Sequence, residues 1–153
     1  MNGIFSLIES CIGMLYRFQN RKKQTGGAAT SLFLKGYSLS NNWEKMNKEG
    51  KTFQKFFEDN KMKRIAIYGF GEIGKRLYRD LQNLDIDIAY VVDQNADRIC
   101  LENVKVVDLT HELEPVDVII VTPIQFFEEI EETLRHITKS DIVSLEEIME
   151  YCV

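Results

Sequence analysis

Three glycines spaced G-x-G-x-x-G join a β-branched run directly to a helical pattern in IAIYGFGEIGKRLY, residues 65–78. No other stretch restricts the fold as much. Each glycine has a physical use at such a junction. Gly69 permits the sharp turn out of the strand, Gly71 lets backbone N–H groups approach an anion with no Cβ in the way, and Gly74 lets the helix pack closely on the sheet. The helix that opens here offers unpaired N–H groups and a positive dipole end to a diphosphate.

A tight turn alone would use the same glycines, so the surroundings must choose between turn and site. A strand precedes them, a helix follows, and a second apolar run, IDIAYVVD, ends on Asp93, nineteen residues after Gly74. A carboxylate at that place is where a ribose diol is held. The candidate ligand-binding residues are therefore Gly69, Phe70, Gly71, Glu72, Ile73 and Gly74 at the turn, with Asp93 opposite. NAD is the expected cofactor. NADP is disfavoured because Asp93 repels a 2′-phosphate and Gln94 and Asn95, not arginine, follow it. Glu72 places a negative charge in the turn. Lys75 and Arg76 either offset it or are ordinary solvated helix charges.

The remainder of the chain alternates in the same way. NVKVVDL is a weaker strand, and VDVIIVTP is an unbroken apolar run of the kind a parallel strand covered on both faces requires. Thr122 with Gln125 has capping-box spacing and Pro123 would occupy the first helical position. At the carboxyl end of a strand, Thr122 and Pro123 could also border the far half of a dinucleotide. The helix after them would turn Phe126, Phe127, Ile130, Leu134 and Ile137 inward. In the earlier helix, Ile73, Leu77, Leu81 and Leu84 share a face. DIVSL is a last short strand, and Ser144 with Glu147 caps a final helix through Leu145, Ile148, Met149 and Cys152. Such alternation predicts an α/β fold, a doubly wound, mostly parallel, Rossmann-like sheet.

Charge divides the 153 residues unevenly: residues 1–60 carry +4 and residues 61–153 carry −9, for a total of −5. The expected organisation is an N-terminal helical extension with linker over 1–60 and a nucleotide-binding domain over 61–153. An acidic domain repels a phosphate backbone, so nucleic acid is excluded as a partner. Residues 4–18 form an amphipathic stripe (Ile4, Ile8, Cys11, Ile12, Leu15, Phe18) that is too short for a bilayer span of about 20 residues and has no basic residue before it. It reads as a helix that docks on its own domain or on a second subunit, or else as one lying on an anionic membrane surface, which is not favoured. Residues 20–31 have linker composition. Farther on, Trp43, Met46, Phe53, Phe56 and Phe57 can share a face only if Gly50 breaks the helix. Cys11, Cys100 and Cys152 are odd in number and scattered, as free thiols in a reducing cytoplasm are.

IAIYGFGEIGKRLY, IAYVVDQNAD and VDVIIVTP together resemble the NAD(P)-binding Rossmann superfamily. Residues 41–150 are more narrowly similar to small Rossmann-type domains associated with bacterial surface-polysaccharide and glycosyltransferase functions. The resemblance implies binding of a dinucleotide or nucleotide-sugar, and a homo-oligomer or a partner glycan-biosynthesis protein engaged through the N-terminal helices. It implies no complete reaction centre. Epimerase-type enzymes use a Tyr-x-x-x-Lys pair, and none of Tyr16, Tyr37, Tyr68, Tyr78, Tyr90 or Tyr151 has lysine four residues later. The Glu-Lys-Pro signature of sugar oxidoreductases is replaced by SDIVSLEE. A small oxidoreductase completed by oligomerisation and a ligand-free interaction domain are the competing expectations. His111 and His136 lie in a polar connection and at a helix C-terminus, where neither needs a catalytic role. Glu128, Glu129, Glu131 and Glu132 read as a solvated face.

Overall fold

The computed structural model describes residues 28–153. The amphipathic segment 4–18 and the start of the linker lie outside the described residues. Two compact units divide at residues 34 and 35, and the second, Lys35–Val153, contains the whole sheet. The helix α1 (Ala28–Lys48) begins inside the stretch expected to be linker. It ends before Gly50, whose φ of +66° lies in the left-handed region that favours glycine. A six-residue helix, α2 (Gln54–Asp59), follows. Trp43, Met46, Phe53, Phe56 and Phe57 are all buried, so the break at Gly50 does let them share one core. Residues 35–59 thus pack with the sheet as one body.

The strands are β1 (Arg64–Tyr68), β2 (Asp87–Val92), β3 (Lys105–Val107), β4 (Val118–Val121) and β5 (Asp141–Ser144), with α3 (Glu72–Leu81), α4 (Phe127–Ile137) and α5 (Leu145–Cys152) among and after them. Every pairing is parallel and the order is β3-β2-β1-β4-β5. The chain moves outward from β1 in one direction and then, from β4, in the other. Right-handed crossovers therefore put α3 and α4 on opposite faces. This is the α/β, doubly wound, Rossmann-like sheet that the alternation predicts.

Covering on both faces is why β4 reads VIIV: Val118, Ile119, Ile120 and Val121 are all fully buried. One face packs Ala66, Tyr90, Val92, Ile119 and Val121 against Phe127 and Leu134 of α4. The other buries Ile65, Ile67, Val91 and Ile120. In α3, Leu77 and Leu81 are buried as their spacing predicts, whereas Ile73 is 38% exposed. In α4 the expected inward set loses its ends, since Phe126 is 54% and Ile137 45% exposed. Phe126 lies before the first α-helical residue, so the helical phase does not apply to it.

Ser144 caps α5 as its spacing predicts, accepting from the Glu147 N–H. The Thr122–Gln125 pair does not form the expected box. Thr122 continues the strand ladder, its N–H donating to Tyr68 O at 3.0 Å. Pro123 (φ −74°, ψ 73°) sits in an inverse γ-turn closed by Ile124 N–H to Thr122 O at 2.8 Å, and α4 begins only at Phe127.

Candidate functional site

The strand order changes direction between β1 and β4, and in open α/β sheets that switch point opens a crevice beyond the carboxyl ends of the strands. The loops leaving β1, β2 and β4 meet there. Gly69 turns the chain with φ +88°, a left-handed conformation favouring glycine. Its N–H donates to Val92 O at 2.8 Å, tying the turn to the end of β2. A Cβ on Gly69 would stand 2.8 Å from Pro123 Cδ and 2.9 Å from Thr122 Oγ1.

Thr122 is buried, and its hydroxyl shares one proton between the carbonyl oxygens of Gly69 (2.9 Å) and Tyr68 (3.1 Å). The side chain that spacing assigns to a helix cap instead fastens the glycine turn from across the switch point. Gly74 has an equally local cause, because a Cβ there would lie 2.1 Å from Gly69 O. The first turn of α3 comes that close to the preceding loop only without a side chain.

Gly71 is different. Its φ of −74° suits any residue, and a Cβ built on it meets nothing within 4 Å. It caps α3 with no side-chain hydrogen bond. The N–H groups of Glu72, Ile73 and Gly74 in the first turn have no acceptor inside the helix. The Glu72 side chain stays in solvent, 3.3 Å from Lys75 Nζ, and does not fold over them. The Phe70 ring is buried and packs edge-on against Tyr78 at 5.6 Å between centroids, leaving the turn unplugged.

Asp93 lies on the turn itself. Its Oδ2 accepts the Phe70 N–H at 2.7 Å and its Oδ1 accepts the Asn95 N–H at 2.8 Å. The carboxylate is half-buried. With about four acceptor positions on its two oxygens, it keeps one on each after these bonds. The pattern of a glycine turn and an acid nineteen residues later does not reveal that the acid also holds the turn.

A family model described as C2185-like, N-terminal, matches residues 61–151, more than half of the chain. The chain belongs to the C2185-like N-terminal family. The matched span starts just before β1 and takes in the whole sheet, the glycine turn, Asp93 and Thr122, while the buried aromatics of α1 and α2 precede it. No curated protein and no solved structure matches this C2185-like chain.

The other candidate residues do not gather at the crevice into a reaction centre. His111 is exposed, its Nδ1 2.9 Å from Asp108 Oδ1. Hydrogen bonds from Thr110 and His111 bring the Asp108 carboxyl down to about 2. Glu128, Glu129 and Glu132 are exposed on α4, and no metal-binding cluster of His, Cys, Asp and Glu occurs among the described residues. Cys100 is exposed and Cys152 buried, both as free thiols. Among the described residues no helix is long and apolar enough to cross a membrane.

Proposed function

We propose that the Lys35–Val153 unit binds a nucleotide diphosphate ligand, NAD in preference to NADP or else a nucleotide-sugar, at the glycine turn. The diphosphate lies on the first-turn amides of α3 and the ribose diol on Asp93. The observation that carries this reading is the contrast among the three glycines. Gly69 and Gly74 are required by the chain's own atoms, whereas nothing in the chain requires Gly71. A glycine with ordinary φ, open space around its Cβ position and unpaired amides beside it has a purpose once an anion comes into contact with the backbone.

Asp93 supports the same reading, because its two structural hydrogen bonds orient it and leave an acceptor on each oxygen for a diol. Its negative charge disfavours a 2′-phosphate. The protein is read as a cytoplasmic nucleotide-binding module of bacterial polysaccharide biosynthesis, acting with a second copy or a partner that supplies substrate contacts. That wider reading rests on the resemblance of residues 41–150.

Titration with NADH, NADPH and UDP-glucose, followed by calorimetry and thermal shift, tests the site. Binding of NADH or UDP-glucose that is lost in Gly71→Ala, with the fold intact, supports it. Absence of binding by all three, or unchanged affinity in Gly71→Ala, overturns it.

A further inference from the structure

Tyr68 is the last residue of β1, paired with Val92 on one side and Val121 on the other, so it stands directly before Gly69 and beside the strand end that carries Asp93. It packs against the α4-side core cluster, to which Val92, Val121 and Phe127 belong. The side chain is only half-buried, and its hydroxyl has no hydrogen-bond partner among the described residues. Tyr90, on the same face, donates its hydroxyl to Glu114 O at 2.8 Å. A phenol whose ring is in the core usually finds such a partner.

A sugar hydroxyl both donates and accepts. Asp93 as a carboxylate can only accept, and the Phe70 N–H beside it is already bound to Asp93 itself. A diol held there needs a donor besides the acceptor Asp93, which the Tyr68 phenol at the same corner can supply. We propose that Tyr68 is a binding residue of this site that reads a ribose hydroxyl, donating to the oxygen whose proton goes to Asp93. Burial and then the charge of Asp93 push the phenol upward, which keeps it protonated as a donor at neutral pH. This inference rests on the nucleotide reading above and adds a requirement for ribose over 2′-deoxyribose.

The test titrates NAD and UDP-glucose, and their 2′-deoxyadenosine and 2′-deoxyuridine counterparts, into the unsubstituted protein and Tyr68→Phe. Phenylalanine keeps the ring in the core, and near-ultraviolet circular dichroism checks the fold. The expected loss on Tyr68→Phe is about tenfold for the ribose ligand, and much less for its deoxy counterpart. The unsubstituted protein alone should prefer ribose to deoxyribose, a readout that needs no variant. Binding by the unsubstituted protein with equal affinity in Tyr68→Phe overturns the role of Tyr68 and leaves the site standing, whereas binding with no ribose preference overturns both the role of Tyr68 and the diol contact of Asp93. Absence of binding to every ligand overturns the role of Tyr68 and the site together.

Discussion

Asp93 and Phe70 are joined by a 2.7 Å hydrogen bond from the Phe70 N–H to the Asp93 carboxylate, a contact between the end of β2 and the glycine turn. A bond from an amide to a half-buried charged acceptor contributes about 1.5–3 kcal/mol. Asp93→Ala should therefore lower the unfolding free energy, read from urea denaturation, by an amount in that range as well as removing the proposed diol contact. Asp93→Asn retains an acceptor oxygen and should lose less stability while still weakening ligand. Equal stability of Asp93→Ala and the unsubstituted protein would mean that the bond does not hold the turn in solution.

The three glycines separate on substitution. Gly74→Ala drives a Cβ to 2.1 Å from Gly69 O, backbone against backbone, so the first turn of α3 must move away from the loop. A loss of about 3 kcal/mol or more is expected, at the severe end for a single change. Gly71→Ala meets open space and should stay within about 1 kcal/mol, the modest capping loss being offset by a less flexible unfolded chain. Chemical denaturation of both variants checks the contrast.

Thr122 gives a second contrast, between a cap and a clasp. Thr122→Val preserves shape but removes the proton shared by Gly69 O and Tyr68 O. A cost of about 1–2 kcal/mol is expected for a buried hydroxyl with such partners. Gln125→Ala, which would damage a capping box equally, should change stability by less than about 0.5 kcal/mol, since Gln125 is exposed. Thermal unfolding of the two variants distinguishes the roles.

The sheet was legible because its signals are periodic and local. An apolar run without polar interruption implies cover on both faces, and Val118–Val121 has it. Ser144 was legible for the same reason, as the N–H its hydroxyl accepts from, that of Glu147, lies three residues on. Thr122 carries a similar spacing signal, but it stays in the strand ladder with its hydroxyl turned to carbonyls fifty-three and fifty-four residues away along the chain, and α4 begins only at Phe127. No local pattern encodes those distant partners. The same limit hid the second use of Asp93 and the lone hydroxyl of Tyr68, both of which depend on which strands become neighbours. Charge, moreover, marks a change of composition near residue 60, while packing depends on the aromatics before it.

Those aromatics make the matched span 61–151 a poor guide to what folds alone. The indole Nε1 of Trp43 donates to Asp80 Oδ2 of α3 at 2.8 Å, and the Arg76 guanidinium lies 4.2 Å above its ring. Met46, Phe53, Phe56 and Phe57 are as deeply buried as Trp43, and Phe56 packs edge-on against Tyr151 of α5. A chain beginning at Lys61 would leave their partners in water, at about 1.5–3 kcal/mol for each large apolar side chain removed. For the five side chains that is about 7.5–15 kcal/mol, as much as the whole stability of an ordinary domain, about 5–15 kcal/mol, so such a chain should show no cooperative unfolding transition, whereas one beginning at Lys35 should. Fluorescence of Trp43, the chain's one tryptophan, follows the longer fragment directly.

Alkaline pH should weaken the fold through Tyr90. Its buried phenol donates to Glu114 O and is pushed up to about 12, first by burial and then by the charge of Glu114. In the unfolded chain it titrates near about 10. Between those values the folded state binds the extra proton, so stability is full below about pH 10 and falls as pH rises toward 12. Tyr90→Phe loses the hydrogen bond, about 1 kcal/mol at neutral pH, but no longer has a phenol that must ionise on unfolding. Its urea midpoint should therefore start lower and decline less between pH 9.5 and 11. A parallel decline in both proteins would assign the alkaline loss to other groups, and tyrosinate absorbance recorded on the same samples would show whether a phenol resists titration until the chain unfolds.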